Sequence, residues 1–318
     1  MKIRKAIDSD KKEVLNFCKN TFDWGDYIDK VWDLWLIDPS GLLLVSEIYD
    51  EHDHNSYPIA LSHISECPKK ILWIEGIRVN KKYRNQGVAS SLLNYMTNIG
   101  IKKGFREASA IVSKTNIPSQ KMLLKNGFSK IWNINYYNIE INKSTEESNL
   151  SIHSRYGIQI KVPNLKDIES IIKYINRSLI TKQSTIRYFN SWKFYELENS
   201  FESIFTLVNS NRLISFVDQF NIIKGISILN STDEAEEHNS NRKKIIQIYH
   251  IDCIDDTDYS KIIEILIINH SNNPAVKNIQ IFISSFIDIS NLKYKDKIRY
   301  SEQFFLYNKK LDKINDQS

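Results

Sequence analysis

The chain has 318 residues, 42% of them hydrophobic and 25% charged, with a formal net charge of +5. That length suggests about two globular domains. The mild charge, with no long Lys/Arg block, argues against nucleic acid as the default partner, and no apolar stretch is long enough to span a membrane. Cys18, Cys67 and Cys253 are too widely spaced for a metal pair or a disulfide framework. A reducing, cytoplasmic setting is therefore expected; the N-terminus carries charges where a signal peptide needs an apolar core. Lys, Asn and Ile are used heavily throughout, so local clusters of them carry little weight.

Ile3, Lys5 and Ile7 alternate with Arg4 and Ala6 and predict a first strand. Asp8, Ser9 and Asp10 can cap a helix through Val14, Leu15 and Phe17. Phe22, Asp23, Trp24, Gly25, Asp26 and Tyr27 break that pattern. A second helix carries Val31, Trp32, Leu34, Trp35 and Leu36. Residues 42–45 and 59–64 predict paired strands around a polar loop, and residues 71–79 a third strand. Leu92, Leu93, Met96 and Ile99 then recur at helical spacing. A strand at 108–112, a helix after Asn116 and two strands at 128–134 and 136–141 follow.

Residues 143–154 are polar and read as a linker. Beyond them the pattern starts again. Ile158, Ile160 and Val162 alternate like the first strand, and Asn164 can cap a helix through Ile168, Ile171, Ile172 and Ile175. Trp192, Phe194 and Tyr195 fall roughly where Trp24–Trp35 fell. Strands are predicted at 204–208, 213–217, 222–229 and 245–251, a helix at 259–268, and strands at 279–283 and 304–307. The chain reads as a tandem duplication.

The segment between the 71–79 strand and its following helix is the most informative. It is basic, contains Gly87, and puts small Ala89 at the helix start. Glycine lets backbone approach a ligand closely. The free N–H groups and positive dipole end of a helix start suit a phosphate or pyrophosphate. The spacing Arg84-x-x-Gly87-x-Ala89 fits neither a P-loop, which needs Lys-Ser/Thr after its last glycine, nor a dinucleotide fingerprint, which needs three glycines.

This loop resembles the acyl-CoA pyrophosphate loop of the GCN5-related N-acetyltransferases, the GNAT superfamily. The family pattern V-x-P-x-x-R-x-x-G-x-G is met with Lys81 for its proline and Ala89 for its last glycine. Residues 116–128, Asn-Ile-Pro-Ser-Gln-Lys-Met-Leu-Leu-Lys-Asn-Gly-Phe, resemble the second family motif, N-x-x-A-x-x-L-Y-x-K-x-G-F. Two motifs in the right order make the likeness specific over roughly residues 1–143. The predicted element order matches the GNAT fold: α/β (α+β), a central mixed, mostly antiparallel sheet flanked by helices. Residues 1–143 are expected to form the catalytic domain, and 155–318 a degenerate GNAT-like domain.

The resemblance implies an acetyl-CoA-dependent N-acetyltransferase, with acetyl-CoA and an amine acceptor as partners and no metal. Arg84, Asn85, Gln86, Gly87, Val88, Ala89 and Ser90 would hold the pyrophosphate. Ile77 and Val79 would orient the cofactor through backbone N–H groups. Asn116 would contact it as well, although its position also suits a helix N-cap. Glu75 stands where the family often places a general base; a carboxylate beside Trp73 would have a raised pKa. Leu123 departs from the tyrosine that commonly serves as general acid, so either Tyr136 or Tyr137 substitutes, or the thiolate leaves unaided. Trp24, Asp26 and Tyr27 lie in the segment that lines the acceptor site; carboxylates among aromatics suit a cationic amine. His52 and His54 have metal-like spacing but sit on a polar loop, where solvated histidines are expected. A CoA-binding regulatory protein without catalysis is the competing reading. In the second copy, Cys253-Ile254-Asp255-Asp256-Thr257-Asp258 replaces the basic loop. Without glycine and with three carboxylates, it should repel phosphate.

Overall fold

The computed structural model describes residues 1–22, 25–52, 54–141, 155–178, 187–190, 192–197, 200–234, 243–255, 258–287, 289 and 292–311. Trp24, a candidate acceptor-site residue, lies outside them, as do Asp256 and the whole of the proposed linker. The chain forms two compact units. One comprises Met1–Trp132 with Phe305–Ser318, the other Asn133–Phe304.

The first unit starts with β1 (Lys2–Lys5), α1 (Lys11–Cys18) and α2 (Ile28–Leu36). β2 (Gly41–Asp50), β3 (Asn55–Cys67) and β4 (Ile71–Val79) form an antiparallel meander. Then come α3 (Val88–Lys102), β5 (Glu107–Ser113), α4 (Ile117–Lys125) and the start of β6 (Ser129–Glu140). Alternation of side chains across the strands gives the sheet two apolar faces. Val14, Ile28 and Trp32 of α1 and α2 pack on one, against Leu43, Val45 and Leu61. Leu92, Leu93 and Met96 of α3 and Leu123 of α4 pack on the other, against Leu44, Ile64, Leu72 and Ile74.

β4 and β5 run parallel but pair only at Ile71↔Glu107, Leu72↔Ala108 and Trp73↔Ser109. Beyond Trp73 the two strands splay. The remainder of β4 keeps β3 on one edge, out to Ala60↔Val79, and among the described residues has no paired strand on the other.

The second unit repeats much of the order, with a hairpin added and, among the described residues, no α-helix at the place of α4. β7 (Ile158–Lys161), α5 (Ile168–Ile175), a hairpin of β8 (Arg187–Asn190) and β9 (Lys193–Glu196), α6 (Phe201–Asn209), β10 (Leu213–Asp218), β11 (Ile223–Glu234), β12 (Lys243–Cys253), α7 (Asp258–Ser271) and β13 (Val276–Ser284) lead to β14 (Ile298–Lys310). β12 and β13 are its parallel pair, in register up to Ile248↔Ile281. An isoleucine-rich core joins α5, α6 and α7 to these strands.

Three sequence-based expectations are corrected. Residues 204–208 form a helix rather than a strand: Ile204, Leu207 and Val208 are buried at helical spacing and the Ser200 side chain caps the first turn at Ser203. The Trp192 region is a hairpin, so α6 is the counterpart of α2. Residues 128–134 and 136–141 form one continuous strand, β6, rather than two.

The compact units also do not follow the cut at 143 and 155. β13 is flanked by β6, from Ile134↔Ser284 to Glu140↔Asn278. β5 is flanked by β14. Each unit thus receives its last strand from the other half of the chain. In the first unit the Asn308 amide donates to Glu107 and, at 3.1 Å, to Ser109 Oγ. Lys309 Nζ donates to the Asn126 carbonyl at 3.0 Å, and Leu311 N to the Arg106 carbonyl at 2.8 Å. Among the described residues, no helix is long and apolar enough to cross a membrane.

Candidate active site

The basic segment forms a tight, exposed turn. The Asn80 side chain accepts from Lys82 N, Arg84 Nε donates to the Val79 carbonyl at 3.0 Å, and Gln86 Nε2 donates to the Lys82 carbonyl at 3.1 Å. Asn85 and Gly87 both adopt left-handed backbone, at φ of 62° and 81°. Gly87 is the N-cap of α3, and a Cβ built on it would meet nothing within 4 Å. The turn therefore presents an open cradle. Val88, Ala89 and Ser90 form the first turn of a 15-residue helix, where backbone N–H groups lack intrahelical partners and the dipole is positive. Val88 is buried and anchors the helix; Arg84, Asn85, Gln86 and Gly87 are exposed. Ser90 Oγ accepts from Asn126 Nδ2 at 3.1 Å, which fixes α3 against α4.

The cradle follows directly on β4, so the splayed strand and the helix start share one end of the sheet. Ile77 and Val79 are partly buried on the splayed portion. Asn116 caps α4, its Oδ1 accepting from Ser119 N at 3.2 Å. Leu123 is 1% exposed and belongs to the core.

Glu75 lies on β4 just past the last β4–β5 pair. Gly76, with φ of 67°, opens a bulge after it, and the β3–β4 register shifts there. Opposite Glu75 on β3 is His63, which sequence reasoning passed over. His63 is 0% exposed. Its Nδ1 lies 3.0 Å from Glu75 Oε1 and its Nε2 3.3 Å from Asp38 Oδ2. The ring stacks on Trp35, centroids 4.7 Å apart and planes within 5°. Asp38 is held by Ser40, whose N and Oγ each donate to Oδ1 at 2.8 Å. The signal available in the sequence was a Ser-His pair inside an otherwise apolar strand, residues 59–64.

Arg78, two residues after the bulge, forms a forked ion pair with Asp26: Nε–Oδ2 2.7 Å and Nη2–Oδ1 3.0 Å. Its guanidinium also lies 5.1 Å from the Phe22 and Tyr27 ring centres. Asp26 is thereby neutralised by a residue of the same unit. Tyr27 packs edge-on to Trp35 at 6.1 Å, and burial raises its pKa.

Tyr136 belongs to the second unit. It is packed among Trp192, Phe282, Tyr300 and Phe304, and burial pushes its pKa up to about 12. In the second unit the strand pair matching Glu75 and His63 is β12 with β11. Past the corresponding register shift, Ile248 faces Leu229. Among the described residues, no cluster of metal-ligating side chains is present.

Residues 11–128 match the model of the acetyltransferase (GNAT) family. No protein of curated function matches the chain in sequence. A GCN5-related N-acetyltransferase from Sphaerobacter thermophilus superposes with a TM-score of 0.59 at 12% identity, over 98% of this chain and 95% of that one. A tandem GNAT protein from the clavulanic acid biosynthesis pathway superposes with a TM-score of 0.50 at 9% identity, over 98% of each chain. The first unit, with its splayed β4 and β5 and its Gly87 cradle, holds the stretch that matches the GNAT acetyltransferase family, in a chain with the fold of a tandem GNAT protein.

Proposed function

We propose that the chain is an acetyl-CoA-dependent N-acetyltransferase whose acceptor is a primary amine on a small molecule or amino acid. One observation carries this reading: Glu75 stands on the splayed end of β4, four residues from its close at Val79, where the strand leads into the cradle at the start of α3. Acetyl-CoA supplies the acetyl group as an activated thioester. The open Gly87 turn and the α3 N–H groups fit its pyrophosphate. Backbone N–H groups of Ile77 and Val79 orient the acyl arm and polarise its carbonyl. Glu75 accepts a proton from the acceptor ammonium. The free amine attacks the carbonyl, the C–N bond forms, the C–S bond breaks and the thiol leaves, with no covalent enzyme intermediate.

Leu123 cannot donate a proton. Tyr136 is a weak acid at a pKa of about 12, and a thiolate is a good leaving group, so the reaction does not depend on a dedicated acid. Asp26 is committed to Arg78, which leaves Tyr27 and Trp35 as aromatic groups beside the Glu75 region.

The test is thiol release from acetyl-CoA with a panel of small amines, free amino acids and peptides. Turnover with at least one small amine is expected, and Glu75→Gln should lower it by about 10²–10⁴-fold. No turnover across the panel despite acetyl-CoA binding would favour a regulatory CoA-binding role instead.

A further inference from the structure

His63 is a fully buried polar group that the proposed chemistry leaves unused. Burying an imidazole costs free energy unless its nitrogens are engaged. The first unit builds a chain of three polar groups around it: Asp38 after α2, His63 on β3 and Glu75 on β4. Two further residues are shaped to it. Trp35 stacks on the imidazole. Gly41 leaves room for the chain: a Cβ there would lie 2.4 Å from His63 Nε2 and 2.3 Å from Asp38 Oδ2. Four segments of the fold thus converge on one imidazole.

We infer that His63, held by its stacking on Trp35, is the positioning residue of Glu75: an Nδ1–H donated to Oε1 fixes the carboxylate and leaves its other oxygen to take the acceptor's proton. The inference rests on the reading of Glu75 as the base. Nε2 makes no hydrogen bond, and the Ser40-held carboxylate of Asp38 lies 3.3 Å from it. The ring is therefore held by stacking on Trp35 and by its Nδ1 contact with Glu75.

The test compares His63→Leu, His63→Asn and Glu75→Gln in the full chain. Asparagine keeps a donor near the place of Nδ1; leucine removes it. Loss of a hydrogen bond to a charged group corresponds to about 10–100-fold in rate. His63→Leu should lose kcat by that factor, shift the acidic limb of the pH–rate profile, and leave acetyl-CoA affinity by calorimetry unchanged. His63→Asn should recover most of kcat. A ¹⁵N spectrum, with the His63 ring signal assigned by its loss in the variants, should show that signal moving in Glu75→Gln and in Asp38→Asn. A wild-type kcat and pH profile in His63→Leu would overturn the inference while leaving Glu75 as base. Equal loss in the leucine and asparagine variants, or a ring signal indifferent to Glu75→Gln, would do the same. Wild-type turnover in Glu75→Gln would remove the base reading itself, and this inference with it.

Discussion

The Trp35 ring lies directly over the backbone of Gly76: a Cβ there would come within 2.6 Å of Trp35 Cη2 and 2.7 Å of Cζ3. The same ring stacks on His63. Trp35 therefore holds the bulge that follows Glu75 and the imidazole that faces it, so the carboxylate and its partner are set by one side chain of α2.

Gly76→Ala should damage both. Its φ of 67° is strained for any residue with a Cβ, at a cost of order 1–3 kcal/mol, and the displaced Trp35 adds to that. We expect a lowered thermal midpoint together with loss of turnover, while acetyl-CoA still binds at the intact Gly87 turn. An unchanged midpoint with full activity would show that the bulge is not under this constraint.

Gly87→Asp probes the cradle separately. The site has room for the side chain, and aspartate tolerates left-handed backbone better than most residues. The fold should survive by circular dichroism. The added negative charge stands where the phosphates would lie, so measurable acetyl-CoA binding should vanish in calorimetry. The wild-type chain should bind one acetyl-CoA, because the segment before α7 has no glycine and carries Asp255 and Asp256. Wild-type affinity in the variant, or two equivalent sites in the wild type, would refute this.

The cradle and Glu75 were legible because they depend on contiguous residues: a strand, a glycine turn and a helix start. His63 and Asp38 were not. They are 12 and 37 positions from Glu75, and only the β3–β4 register and the turn after α2 bring them together. Asp26 read as a free carboxylate among rings because its partner Arg78 is 52 positions away. Residues 204–208 misled because β-branched and aromatic residues dominate a short run; the cap at Ser200 and the 204, 207, 208 spacing decide for helix once packing is known. The exchange of last strands was invisible, since two similar strands can close either sheet.

That exchange makes the C-terminal residues part of the first unit. Phe305, Tyr307 and Leu311 are buried in the core that also holds Leu92 and Leu123. At about 1.5–3 kcal/mol each, removing them costs on the order of 5–9 kcal/mol, comparable with the whole stability of a typical domain. A chain ending at Phe304 should therefore fail to fold its first unit, and a fragment of residues 1–145 should be unstable for the same reason. Activity and a cooperative melt in that fragment would show that β6 alone can close the sheet.

Asp252 gives a pH-dependent prediction in the second unit. It is 0% exposed on β12. Burial pushes its pKa up to about 6, tempered by the Ser178 hydroxyl and the Cys253 amide. A raised carboxyl pKa means that the folded state holds this proton more tightly than the unfolded chain, whose value is about 4. Stability from this group is therefore full below pH 4, falls as pH rises from about 4 through about 6, and is lost above that. Asp252→Asn removes the charge and the fall. The variant should match the wild type near pH 4 and exceed it at pH 7 by an amount on the order of 3 kcal/mol, the linkage equivalent of a shift of about two units. Urea unfolding at the two pH values, followed by fluorescence and circular dichroism, reads the difference directly. A stability difference that is the same at both pH values would mean that Asp252 does not titrate between them in the folded protein.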